Sequence, residues 1–381
     1  MNESIQIQLE VNELTHRIAP RPPGHAGNHN ALSLPTVARL RERDHGADAR
    51  ESILSTIGHT PLVRLTRVLP NCPFSLFAKL EGFNPGGSAK DRPAFHILQE
   101  AIRAGAVKPW TVVIESSSGN LGIGLAQACR YLGLRFICVV DPKTAPQNLS
   151  LLRAYGAEID LVSKPHPATG EYLQARVERV QTLLQTIKDS FWTNQYANLY
   201  NARAHRMTME EIATELDGRI DYLLVATSTC GTLRGCAEYI WEHHLDTRIF
   251  AVDACGSVIF GGPPAKRLIP GHGASRRPEL YRDGLADECL WVTDVDCVVG
   301  CRRLVHSEAI LVGGSSGGVL MAVEQVKERI PRDATCVVIF HDRGERYLDT
   351  IYSDEWVAEH FGDIAHLWER QPEQEPCVMA T

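Results

Sequence analysis

A lysine stands at position 90 behind Pro85, Gly86 and Gly87, in the stretch FNPGGSAKDRPA of residues 83–94. A lysine on a solvated helix face needs no such run. Proline and paired glycines build a tight turn and clear side chains from the path of the chain. They suit a lysine that must approach another molecule closely. Three further stretches carry hydroxyls and glycines between an apolar run and a helix-like segment: ESSSGNLG (115–122), TSTCGTLRG (227–235) and GGSSGG (313–318). Backbone N–H groups at a helix N-terminus, with hydroxyls beside them, hold a carboxylate or a phosphate.

Ser116, Ser117, Ser118 and Gly119 ahead of Asn120 exceed what a single N-cap residue needs, so the first stretch reads as a carboxylate pocket. A Ser/Asn cap with nothing bound is the alternative. The second reads as a cradle for a phosphate monoester; it is neither a Walker A loop nor a GxGxxG turn. The third is either a flexible connector or a loop that presents a hydroxyl to a ligand at a helix N-terminus. An amine, a carboxylate pocket and a phosphate cradle together suit a cofactor with an aldehyde and a phosphate. Pyridoxal 5′-phosphate is that cofactor, with Lys90 holding it as a Schiff base.

The elements that must position these residues alternate along the chain. Strand-like apolar runs lie at 111–115, 135–140, 158–162, 221–226, 248–254, 289–293 and 335–340. Helix-period segments follow most of them, including 121–132, 172–188, 203–216, 232–245 and 317–329. Such alternation predicts an α/β protein with mostly parallel sheets covered by helices on both faces, in two units rather than one. Ligands in such sheets bind where strands end and helices begin, which is where the three stretches lie.

The 381 residues carry a net charge of −7, with 44% hydrophobic and 22% charged residues. No basic face points to nucleic acid or an anionic membrane. No apolar run approaches the roughly 20 residues of a membrane helix, and the N-terminus has no hydrophobic leader, so a cytoplasmic protein is expected. The 11 cysteines form no Cys-x-x-Cys pair, and most sit in strand-like runs as small hydrophobes in a reducing compartment. Cys297 and Cys301 are spaced as two metal ligands on a possible helix, but no partner pair stands nearby; the core reading is preferred and no metal is expected. Residues 1–50, with His16, His25, His29 and His45, read as a flexible extension, and 361–381 as a tail.

The motifs, in their order and spacing, resemble the fold-type II pyridoxal-phosphate enzymes of the cysteine synthase/cystathionine β-synthase family over residues 52 to 355. IGHTPLVRL (57–65) resembles that family's opening motif, NPGGSAKDR its lysine motif, SSGNLG its substrate-carboxylate loop, and GGSSGG the loop facing the pyridine nitrogen. The resemblance implies a tryptophan synthase β-like fold of two three-layer α/β/α domains with the cofactor in the cleft between them. The smaller domain would span 84–195 and the larger 51–83 with 196–360. It implies Lys90 as the Schiff-base lysine and catalytic base, and Asn120 at the cofactor's 3′-oxygen. Ser228, Thr229, Cys230, Gly231 and Thr232 would form its phosphate loop, with Ser315 at the pyridine nitrogen. It also implies a homodimer. Two departures stand out. The phosphate loop has hydroxyl and thiol side chains where the family has more glycine, and Leu121 replaces a threonine, hinting at a changed substrate.

Further stretches resemble a narrower group, the N-(2-amino-2-carboxyethyl)-L-glutamate synthases of siderophore pathways: VVDPKTAPQNL (139–149), NQYANLYNARAH (194–205), VDACGSVIFG (252–261), IPGHGAS (269–275) and DRGERYLD (342–349). This implies a C–N bond-forming transferase using O-phospho-L-serine and L-glutamate, toward L-2,3-diaminopropionate. Arg176, Tyr196 and Ser228 are the candidates to meet the substrate phosphate; Arg176 could equally be a solvated helix-face arginine, and Arg153 and Arg234 compete with it. Arg343 and Arg346 could anchor the carboxylates of glutamate or form surface salt bridges. The alternatives are a cysteine synthase taking sulfide, a regulated cystathionine β-synthase, which the chain's length disfavours, and a degenerate member that only binds.

Overall fold

The computed structural model describes residues 50–369. The expectations for residues 1–49, with their histidines, and for 370–381 lie outside the described residues. Six strands form one sheet: β1 (Leu62–Leu65), β2 (Ser75–Leu80), β7 (Tyr222–Ala226), β8 (Arg248–Ala254), β9 (Glu288–Val292) and β10 (Thr335–Phe340), in the order β1-β2-β10-β7-β8-β9. Only β1 runs antiparallel, against β2. The other four strands, β3 (Val112–Ser116), β4 (Arg135–Val140), β5 (Glu158–Leu161) and β6 (Ser190–Trp192), make a parallel sheet in the order β5-β4-β3-β6. The four-stranded sheet falls within 84–195 and the six-stranded one in the flanking residues; we propose that division as the domain boundary.

β3 and β7 are buried at every residue. That is why their sequences are continuous in Val, Ile and Leu and do not alternate. The helices are α1 (Asp91–Arg103), α2 (Asn120–Leu132), α3 (Pro146–Ala154), α4 (Tyr172–Thr186), α5 (Leu199–Glu215), α6 (Gly231–Glu242), α7 (Asp294–Glu308), α8 (Gly314–Val326) and α9 (Asp354–Phe361). α2 closes on Gly133 in the left-handed region (φ 70°), and α7 opens with a capping box in which Thr293 and Asp296 satisfy each other's backbone. Among the described residues, no helix is long and apolar enough to cross a membrane.

The structure adds β1, β2 and β6 to the strands marked by periodicity. It also adds α1 and α3, where Pro93 and Pro146 occupy first-turn positions that lack an intrahelical partner anyway. GGSSGG is not a loop. Gly313 is the N-cap and Gly314 to Gly318 form the first turns of α8. Glycine's poor helix propensity is overridden by packing: a Cβ on Gly317 would lie 2.2 Å from the Cys297 carbonyl of α7, and one on Gly300 would lie 2.1 Å from the Gly317 carbonyl. Cys297 and Cys301 are buried in that same α7–α8 contact.

Candidate active site

The turn before Lys90 is built as its sequence demands. Gly87 holds φ +85°, and a Cβ on Gly86 would stand 2.4 Å from Asp91 Oδ1. Gly86 N donates to Asp91 Oδ2 at 2.6 Å, Lys90 N to Ser88 Oγ at 3.2 Å, and Ala89 N to the His341 carbonyl at 2.7 Å. Lys90 is thereby the N-cap of α1. Burial lowers its ammonium pKa, with Asp342 and Glu81 opposing. Burial also pushes the Asp91 carboxyl up to about 7. Behind the turn, Arg92 is fully buried and bonded to Glu81 (2.7 Å) and Glu211 (2.7 and 2.8 Å), and Lys79 reaches Glu211 at 3.1 Å. Burial works to raise the Glu81 carboxyl, yet the Arg92 guanidinium holds it below the usual range. Such a network fixes one packing of α1 more than it adds stability, because desolvation offsets most of the attraction.

β3 delivers the serine loop to the N-terminus of α2. Ser117 Oγ accepts from Gly122 N at 3.0 Å, and Asn148 Nδ2 donates to the Ser118 carbonyl at 3.0 Å. Ser116 Oγ is buried without a hydrogen-bond partner. Beneath it, Glu115 accepts from Ser116 N (2.7 Å), Trp192 Nε1 (3.2 Å), Thr193 Oγ1 (2.5 Å) and Gln195 N (3.2 Å), and so ties β3 to the end of β6.

The Cys230 loop leads from β7 into α6. Cys230 is the N-cap, in the left-handed region at φ 62°, a conformation that favours glycine. A Cβ on Gly231 would strike Asn201 Oδ1 at 2.2 Å, so only glycine fits there. Asn201 Nδ2 donates to Thr229 Oγ1 at 3.3 Å, and Thr232 Oγ1 lies 3.3 Å from His205 Nε2. Burial lowers the His205 pKa well below its ordinary value, so the ring is neutral.

The segment after β10 joins these pieces. Asp342 Oδ2 accepts from Asn120 Nδ2 (2.7 Å) and Tyr347 hydroxyl (2.6 Å); Arg346 donates to Asn120 Oδ1 and the Gly86 carbonyl. His341 N donates to Ser316 Oγ at 3.0 Å and Gly313 N to the Asp342 carbonyl at 3.1 Å. Burial raises the Asp342 carboxyl, while Tyr347 and Asn120 oppose the rise. One short segment thus fastens the lysine turn, the serine loop and the start of α8.

Most of the residues singled out from sequence line one cavity of about 650 Å³: Lys90, Ser116 to Asn120, Arg176, Tyr196, Ser228 to Thr232 and Ser315. Arg176 is 9% exposed, which removes the solvated-face alternative. Its Nε lies 3.3 Å from Asp141 Oδ2 outside hydrogen-bond alignment, and its Nη1 is buried without a partner. Arg153 and Arg234 do not line the cavity, and Arg234 is held by Glu238 at 2.7 Å. Of the two proposed anchors, Arg346 lines the cavity; Arg343 instead donates to the Gly82 carbonyl at 2.6 Å. Lys143, Arg267, His341, Asp342 and Tyr347 also line it and were not assigned from sequence. Asp342 and Tyr347 fall within DRGERYLD, so the stretch carried a signal but its contact with Asn120 did not.

Residues 53–342 match the family model described as pyridoxal-phosphate dependent enzyme. Among solved structures, the chain is similar to a hydrogen sulfide-producing enzyme from Fusobacterium nucleatum, at 33% identity and a TM-score of 0.74, over 80% of this chain and 100% of that one. It is similar to a cysteine synthase from Entamoeba histolytica at 32% identity and a TM-score of 0.75, over 82% and 92%. An O-ureido-L-serine synthase matches at 30% identity and a TM-score of 0.74, over 81% and 99%.

Proposed function

The chain belongs to the family of pyridoxal-phosphate dependent enzymes, and from that premise we propose that it replaces the phosphate of O-phospho-L-serine with the amine of L-glutamate. The products are N-(2-amino-2-carboxyethyl)-L-glutamate and phosphate, on a route to L-2,3-diaminopropionate in siderophore or related synthesis. The observation that carries this reading is the charge of the cavity. Besides Lys90, which the cofactor would occupy, Lys143, Arg176, Arg267 and Arg346 line it against one carboxylate, Asp342. Sulfide needs no such surplus of cations; a phosphoamino acid and a dicarboxylate do. The same reading makes the protein a cytoplasmic homodimer.

The residues present fit pyridoxal phosphate. The start of α6 offers backbone N–H groups beside the hydroxyls of Ser228, Thr229 and Thr232, all lining the cavity. Lys90 would hold the aldehyde carbon, the Ser228–Thr232 loop the phosphate, Asn120 the ring oxygen and Ser315 the ring nitrogen. When bound, the cofactor supplies a sink for the electron pair left when the α-proton is removed. Everything else falls to the protein. The orphaned Ser116 Oγ and the N-terminus of α2 bind the substrate carboxylate. Lys90, its pKa lowered by burial, takes the α-proton and later returns it. Arg176, with an unpartnered buried Nη1, receives the phosphate as the Cβ–O bond breaks. The incoming ammonium gives up a proton to solvent, and the lone pair so freed forms the Cβ–N bond.

Likeness to a cysteine synthase and a hydrogen sulfide-producing enzyme supports a second reading, cysteine formation from sulfide. Phosphate release from O-phosphoserine separates the two. Under our reading, steady release depends on glutamate and matches adduct one to one. Release that requires sulfide and ignores glutamate would replace our reading with the second.

A further inference from the structure

Arg267 stands in residues 255–287, a segment between β8 and β9 that forms neither helix nor strand. Its flanks are nevertheless pinned. Leu268 N and Ile269 N donate to the Asp294 carboxylate at 2.9 and 3.3 Å, in the first turn of α7. Gly273, at φ +69°, lays its backbone against the guanidinium; a Cβ there would be 2.4 Å from Nη1. The half-buried Arg267 lines the cavity, and its one hydrogen bond there is a 3.5 Å contact from Nη1 to the His272 carbonyl. Among the described residues, no carboxylate pairs with it. Of the other cavity arginines, Arg346 holds Asn120 and Gly86, and Arg176 faces Asp141 with Nη1 left for the substrate phosphate. A guanidinium packed on backbone, with its flanks fixed and no carboxylate in ion-pair contact, is preorganised for an anion that arrives from outside.

Which anion follows from position. Arg176, Arg276 and Arg267 all act electrostatically on Tyr196, which lines the same cavity. The leaving and incoming groups share Cβ, so a nucleophile must approach the carbon that the phosphate at Arg176 is leaving. Its own carboxylates then enter the cavity that Arg267 lines. We infer that Arg267 is a specificity-determining residue that binds a carboxylate of the amino-acid nucleophile, an inference that rests on the glutamate reading above.

The test uses holoenzyme saturated with O-phosphoserine and compares kcat/KM for L-glutamate with that for sulfide in wild type, R267Q and R267K. R267Q should lower the glutamate-over-sulfide ratio on the order of 10- to 100-fold, chiefly through the KM for glutamate. R267K should recover part of it, since lysine keeps the charge but not the fork. The ratio is insensitive to how much enzyme folds. An unchanged ratio in R267Q, with wild type making the glutamate adduct, overturns the role of Arg267 alone. A wild type that makes cysteine and no amino-acid adduct overturns the underlying substrate reading instead.

Discussion

Arg176 is a 9% exposed residue whose guanidinium stands 3.3 Å from Asp141 with Nη1 unpartnered, and alanine removes that guanidinium. If Nη1 and its neighbours receive the dianionic phosphate, the variant loses at least one charge-assisted hydrogen bond, worth about 1.5–3 kcal/mol. That corresponds to roughly 10- to 150-fold in kcat/KM for O-phosphoserine. O-acetylserine presents a neutral ester at the same place and should lose less than about threefold by the same reasoning. A second effect must be separated from the first. Asp141, 5% exposed, keeps its bond from Lys143 N at 2.8 Å but loses its cation, which destabilises the fold by about 1–3 kcal/mol. Lost folded enzyme lowers both rates equally, so the O-phosphoserine to O-acetylserine ratio isolates the phosphate contact. The assay is initial-rate product formation from each donor with glutamate held saturating. Equal losses on both donors would leave Arg176 as nothing more than the partner of Asp141.

Lys90→Ala should abolish turnover, and borohydride treatment of wild type should fix the phosphopyridoxyl group on Lys90; recovery of the label on another lysine would overturn that assignment. Ser315→Ala should be milder than Ser315→Asp. Alanine deletes one hydrogen bond of about 0.5–1.5 kcal/mol, while aspartate would keep a ring nitrogen protonated. Wild-type rates in Ser315→Asp with no new long-wavelength absorbance would contradict the ring-nitrogen role. Asp91 makes a stability prediction. Its carboxyl rises from 3.8 to about 7 on folding, so its contribution is fully present below pH 3.8 and is lost as pH rises through about 7. The loss is at most about 4 kcal/mol. Asp91→Asn should therefore remove much of the decline in denaturation midpoint between pH 4 and pH 8; an undiminished decline would mean Asp91 ionises freely in its site.

Much of this was legible because local chemistry and global fold agree. The strands 135–140, 248–254 and 335–340 are those observed, since parallel strands buried on both faces are written as unbroken apolar runs. β6 escaped because three residues, Ser190 to Trp192, are too few to show a period. The start of α8 reads as loop in sequence because its glycines answer to α7, a neighbour that sequence does not display. Arg176 carried a usable signal: it shares the buried stripe of α4 with Val180 and Leu183, at spacings of four and three. A charged residue on an apolar stripe is either paired or working. Asp342, though it opens DRGERYLD, shows no sign in sequence of what it touches, and Arg267 has no local mark. Their importance arises from contacts across 222 residues of chain to Asn120, and from a backbone pinned by Asp294.

The central claim is that the cavity's cations serve an anionic donor and an anionic nucleophile. It is tested most directly by mass spectrometry of the products when purified holoenzyme receives O-phosphoserine or O-acetylserine as donor, with glutamate and sulfide present together. The account predicts N-(2-amino-2-carboxyethyl)-L-glutamate as the main product, formed faster from O-phosphoserine by a factor of about 10 or more. Cysteine as the main product from either donor, with no glutamate adduct, would contradict it.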